Sequence, residues 1–197
     1  MSVIGVLTGV ASEINIIPFV DIVLVLLITA LRSAVADWND VPTGSMKPTI
    51  LEGDRIVVNK LAYDLKVPFT TLRLMAWGDP HRGDIVVLYS PMDGKRLVKR
   101  VVGIPGDTVA MRDDRLVVNG RAVSYSPPGP DLVNGKAEGM AGRLIACEKI
   151  GDAAHAVMID RERDCMPSFS PVDLGNDQYF VMGDNRSESF DSRFFGP

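Results

Sequence analysis

The chain has 197 residues, 46% of them apolar and 23% charged, with a net charge of −4 and a pI near 5.2. That length fits one folded domain with room for an inserted lobe, and its core needs no covalent staple. No basic stripe is present, which excludes nucleic acid as an expected partner. The two cysteines, Cys147 and Cys165, have no neighbouring ligands of metal-site type. They read either as free thiols or as one disulfide formed in an oxidising compartment.

In chain order, the first element is the apolar run from Ile14 to Leu31, INIIPFVDIVLVLLITAL, followed by Arg32 and then Trp38. Its length suits a membrane-spanning helix, and a Trp near the interface suits the end of one. Pro18 is expected to kink its first turn. Asp21 costs roughly 2.5–3.5 kcal/mol if held centrally in hydrocarbon. Two other readings of the run stand: a buried core helix, and a cleaved leader, since Ala34-Val35-Ala36 is a small-x-small triplet after an apolar stretch. Residues 1–36 are thus expected to form an anchor. Arg32 by itself would leave the rest of the chain in the cytoplasm.

After Asp37, short β-branched runs alternate with Gly, Pro and Asp turns. Arg55–Val58, Asp84–Leu88 and Leu97–Val102 read as strands. Thr108–Met111 and Arg115–Val118, with Asp113-Asp114 between them, read as a hairpin, and Asn119-Gly120 offers a second tight turn. The expected fold is mainly β, a sandwich or partly closed barrel, with residues 37–124 as the first part of the core. From 125 to 177 the pattern blurs around Ser126-Pro127-Pro128-Gly129-Pro130, and a loop-rich inserted lobe is expected there. Strand character returns at Gln178–Met182, so 178–197 is read as the last part of the core.

The side chains able to do chemistry are few. His81 and His155, the two histidines, lie in no Ser-His-Asp context, and His81 sits in a probable solvated turn. No His pair has metal-ligand spacing, so no metal and no cofactor are expected. The remaining route is serine with lysine. In Pro42-Thr43-Gly44-Ser45-Met46-Lys47-Pro48-Thr49, Gly44 permits a tight turn and two prolines restrict the segment. Such a loop presents a hydroxyl reproducibly, and the Ser45 N–H with Thr43 would make an oxyanion hole. Taken alone it also reads as an ordinary turn. Lys47 is too near for easy geometry. Lys99 shares its strand face with Leu97 and Val101, and burial there would depress its pKa toward that of a usable base. Exposure on an edge strand is the other reading.

These residues fall into four blocks that resemble type I signal peptidases, in the same order. They are Pro42–Thr49; Gly53–Lys60; Arg82–Val87 with Leu97–Asp107; and Gly183-Asp184-Asn185-Arg186 continuing through Ser189, Asp191, Ser192 and Arg193. Together with the preceding apolar run they cover about a third of the chain. The resemblance implies a signal-peptidase-like, LexA-like β fold with an N-terminal transmembrane helix. It implies a membrane-bound serine endopeptidase that removes signal peptides through an acyl-enzyme, without a cofactor. Ser45 is then the nucleophile, Lys99 the general base, and Thr43 with Ser45 the oxyanion donors. Ser189 would hydrogen-bond Lys99, Asp191 and Arg193 would pair to brace the site, and Val41 and Val98 would line small pockets. The implied partners are preproteins with small residues at P1 and P3, and membrane lipid. The implied location is the cytoplasmic membrane, single-pass, with the catalytic domain outside, which favours the disulfide.

Three departures from that pattern stand out. Ser187-Glu188 replace the more usual Asp-Asn, Phe195 stands where Trp is frequent, and further core sequence is expected beyond Pro197. Two rival readings are a LexA-like self-cleaving protease and a membrane-tethered binding domain without catalysis. The triplet Ala34-Val35-Ala36 also matches the expected substrate site, which implies self-processing before Asp37.

Overall fold

The computed structural model describes residues 17–34, 36–66, 72–129, 142–160 and 168–197. Helix α1, Ile17–Ala34, is built from the apolar run. Pro18 lies in its first turn, where no intrahelical N–H bond is required, so the helix is not broken there. Its large side chains from Phe19 to Ile28 are exposed. Eighteen residues rising 1.5 Å each give ~27 Å, short of a ~30 Å hydrocarbon core. Among the described residues no helix is long and apolar enough to cross a membrane.

The rest is mainly β. Strands β1 (Ala36–Asp40) and β2 (Arg55–Asn59) pair antiparallel, as do β3 (Asp64–Lys66) and β4 (Arg73–Ala76). A central antiparallel sheet has the order β14-β6-β5, from Phe180–Met182, Arg96–Gly103 and Ile85–Tyr89. A second has the order β13-β7-β8-β9, from Phe169–Asp173, Thr108–Arg112, Arg115–Val118 and Arg121–Ala122. The expected hairpin is its centre: Asp113 and Asp114 take positive φ in the β7–β8 turn, and Asn119-Gly120 do so before β9. A third sheet, β10-β11-β12, comprises Ser124–Ser126, Leu144–Ile150 and Ala153–Ile159. A short helix, α2 (Ser192–Phe195), follows β14.

Val102, Val109, Met111, Leu116, Ile150, Leu174, Phe180 and Met182 form the buried core cluster. It joins the three larger sheets. Apolar side chains at alternate positions of strands from different sheets meet there, which is what fixes strand register.

The stretch 125–177 departs from its expected loop-rich character. It holds the two seven-residue strands β11 and β12, and β13 pairs with β7 of the core sheet. β12 is buried on both faces from His155 to Ile159. A strand covered on both sides loses the apolar–polar alternation that marks one in sequence. Cys147 is half-buried on β11. Cys165 lies outside the described residues, and so do the proposed disulfide and Val35 of the small-residue triplet.

Candidate active site

Ser45 occupies a single 3-10 turn, Gly44–Met46, entered from Thr43 in an extended conformation. Met46 anchors the turn in the core, while Ser45 stays half-buried. A Cβ at Gly44 would lie 2.8 Å from Glu52 Oε1 and 3.0 Å from Lys47 Cε, so a larger residue would have to displace these two flexible side chains.

Lys99 comes from β6, paired with Val86 of β5. Its Nζ donates to Ser45 Oγ at 2.7 Å, and its side chain is only 2% exposed. Burial is the main cause that lowers its pKa from 10.5 to about 8. Asp191 and Asp184 oppose the shift and Arg193 assists it. A minor but usable fraction of this amine is therefore neutral near physiological pH, far more than for an ordinary lysine. A neutral amine within hydrogen-bond reach of a hydroxyl can take its proton as that oxygen attacks.

The next residue on β6 points the other way. Arg100 makes a bidentate pair with Asp184, Nε to Oδ1 at 2.8 Å and Nη2 to Oδ2 at 2.7 Å, and donates to Gly83 O. Thr49 Oγ1 also donates to Asp184. Asp184 thereby ties the Ser45 segment to the strand that carries Lys99.

Asn185 holds the turn itself. Its N–H donates to Ser45 O at 3.1 Å, and its Nδ2 donates to Gly44 O at 3.1 Å. Gly183 makes this approach possible, because a Cβ there would sit 2.3 Å from Ser189 Oγ and 2.4 Å from Ser45 O. Asp191 accepts from the Gly183 N–H, caps α2 through the Arg193 N–H, and pairs with the Arg193 guanidinium at 2.8 Å. Arg193 also donates to the carbonyls of Arg186 and Ser189.

The sequence-read residues therefore fall as follows. Ser45 and Lys99 are in contact, and Asp191 and Arg193 form a buried pair beneath them. Ser189 is buried beside Gly183, but its Oγ has no hydrogen-bond partner among the described residues, so the expected bond to Lys99 is not made. The Lys99 ammonium is instead directed at Ser45. Thr43 is exposed at the turn entrance, Val41 is buried and Val98 is half-buried opposite Val87. No group of three metal-ligating side chains occurs among the described residues.

Sequence reasoning missed a buried ionic cluster behind the site. Glu148 on β11 faces His155 on β12 in register, with Nε2 and Oε1 3.2 Å apart. Arg186 and the Tyr125 hydroxyl both donate to Glu148. His155 is thus 4% exposed between Glu148 and Asp184. Burial would raise the Glu148 carboxyl, but the adjacent Arg186 guanidinium, with the His155 ring beside it, outweighs this and holds it down at about 2. The available signal was a lone Glu and a lone His within apolar runs, which carry no pairing information until register is known.

With this geometry in view, the comparisons are specific. The family model described as Signal peptidase, peptidase S26, matches residues 14–197. The chain belongs to the signal peptidase S26 family. It is 37% identical over 172 residues to signal peptidase I of Pseudomonas aeruginosa, covering 86% of this chain and 58% of that protein. It is 34% identical to signal peptidase I P of Bacillus subtilis subsp. natto, covering 91% of this chain and 79% of the relative. A crystal structure of a signal peptidase I from Enterococcus faecalis is 32% identical, covering 60% of this chain and 88% of that one, with a TM-score of 0.36. The chain thus spans little more than half the length of the Pseudomonas relatives.

Proposed function

We propose that this chain is the catalytic portion of a membrane-bound signal peptidase that cleaves preproteins by a Ser45/Lys99 dyad. The observation that carries the reading is the 2.7 Å contact between a half-buried serine and a buried, pKa-depressed lysine. Membership of the S26 family supports the substrate class. Lys99 takes the Ser45 proton as Oγ attacks the scissile carbonyl. The tetrahedral oxygen is met by the Ser45 N–H and Thr43; Lys99 returns the proton to the departing amine, and collapse releases the mature protein and leaves an acyl-enzyme. Water, with Lys99 again as base, frees the signal peptide. Val41 and Val98 flank the two dyad-bearing segments, and their modest bulk suits Ala at P1 and P3.

The exposed apolar face of α1 supports an anchoring role, and it leads directly into β1. The catalytic domain is proposed to lie on the outer side of the cytoplasmic membrane. The division into anchor, two core parts and an inserted segment is kept as a proposal, with the inserted part now read as strands.

The test is incubation of detergent-solubilised protein with a preprotein bearing an Ala-x-Ala site. The intact chain should cleave after the second Ala. Ser45→Ala and Lys99→Ala should each remove activity by ~10³-fold or more, without adding. Cleavage that survives in either variant would refute the dyad.

A further inference from the structure

The sequence departs from the signal peptidase pattern at Glu188, and the structure gives this residue a job. Asn185 Nδ2 carries two hydrogens and has two acceptors: Gly44 O at 3.1 Å and Glu188 Oε2 at 2.9 Å. The other Glu188 oxygen faces Arg143 Nη2 at 3.1 Å. An amide can in principle be flipped, exchanging donor and acceptor ends. An ionised carboxylate only accepts, so Glu188 selects the orientation that aims the amide N–H group at Gly44 O. A flipped amide would set Oδ1 against both a carboxylate and a carbonyl. The charged acceptor also strengthens the bond relative to a neutral one.

The consequence reaches the reacting atoms through one peptide plane. In a trans peptide the C=O and the following N–H point in opposite directions. Gly44 O and the Ser45 N–H belong to the same peptide. Pinning Gly44 O toward Asn185 therefore turns the Ser45 N–H away from Asn185. The Asn185 N–H bond to Ser45 O, at 3.1 Å, fixes the next peptide as well.

We propose that Glu188, held by Arg143, is a positioning residue that aims the Ser45 N–H at the developing oxyanion by locking the Asn185 amide onto Gly44 O. This rests on the reading of Ser45 as nucleophile.

The experiment compares two inhibitors with Ala-x-Ala sequences on the full chain. In a peptide aldehyde, Ser45 Oγ bonds to the carbonyl carbon, its proton passes to Lys99, and the carbonyl oxygen becomes the tetrahedral oxyanion. The matching peptide alcohol binds without forming that oxyanion. Capture of the aldehyde by the intact chain, lost in Ser45→Ala, checks the underlying reading. If the intact chain does not take the aldehyde, the nucleophile assignment fails and this proposal falls with it. Given that capture, Glu188→Ala should weaken aldehyde binding and lower kcat by ~30-fold, since a displaced oxyanion donor costs less than a deleted one. Alcohol binding and KM should stay within about twofold, because ground-state contacts are untouched. Glu188→Gln, which still offers an acceptor, should recover most of the loss. Arg143→Gln should give a weaker version of the same split, and it provides the same discrimination if Glu188→Ala does not fold. Equal loss for aldehyde and alcohol, or no loss for either, would overturn the positioning role.

Discussion

Lys99 and Arg100 are neighbours on one strand, both cationic and both buried, yet the protein treats them oppositely. Arg100 faces a carboxylate that grips it at two points. Lys99 faces a hydroxyl, with its closest carboxylate influences acting only at a distance. A buried cation with a bidentate partner keeps its charge, whereas one without a partner is pushed toward neutrality. One face of β6 thus stores a permanent charge that fastens segments together. The other face holds an amine poised to accept a proton. The difference is made both by the side chains, since a guanidinium does not deprotonate and an amine can, and by their partners from distant parts of the chain.

The strongest way to break the comparison is to make the two faces alike. Lys99→Arg keeps the charge and places a guanidinium, which does not deprotonate, beside Ser45. Preprotein cleavage should fall by ~10³-fold or more, as for loss of the base. Retained cleavage would mean that Lys99 is not the proton acceptor.

Next is removal of the permanent cation. Arg100→Met leaves Asp184 buried with its main partner gone, and should destabilise the fold by about 3–5 kcal/mol. Denaturant midpoints read this directly. Near-unchanged stability would show that Thr49 and His155 suffice to hold Asp184.

The poised amine should instead be a burden to the fold. Lys99 titrates at about 8 when folded against 10.5 ordinarily, so between these values the unfolded chain binds more protons. Stability should therefore rise with pH across that window, and the full cost applies below it. Lys99→Met should stabilise the fold at neutral pH by an amount on the order of 3 kcal/mol, and by less as pH approaches 10. Below that window kcat/KM of the intact chain should rise with pH, levelling off above about 8, because only the neutral amine is a base. Asp184 raises the Lys99 pKa, so Asp184→Asn should move that limb to lower pH. A limb that stays put would remove Asp184 from the electrostatics of the dyad.

The smallest contrast is between the histidines. His155 is buried in the ionic cluster and His81 is 84% exposed. His155→Ala should cost about 1–3 kcal/mol and His81→Ala less than about 0.5 kcal/mol. Equal effects would mean that His155 contributes nothing to the cluster.

What could be read from sequence follows the same division. The strands around Lys99 and the β7–β8 hairpin were legible because alternation and turn residues are local signals. Ser45 and Lys99 were legible only because neighbouring residues matched a known pattern of blocks. β12 was not, since burial on both faces erases alternation. Glu148, His155 and Arg186 were invisible as a cluster, because their meeting depends on strand register and on a segment that joins β12 from elsewhere. Ser189 shows the converse: its place beside the site was foreseen, but the bond expected from its Oγ to Lys99 is not made.

The close approach at Gly183 also sets when the Ser45 turn can take its final form. The nucleophile turn is held by Asn185, 141 residues later in the chain, and the dyad itself bridges 54 residues. Contacts of such separation are formed late, after much loop entropy has been lost. During synthesis Ser45 emerges long before the segment that clamps it. A nascent chain with Ser45 and Lys99 but no Gly183–Arg193 segment has no buttress behind Ser45. The Ser45 turn therefore gains its clamp only once the Gly183–Arg193 segment has been made and folded back onto it.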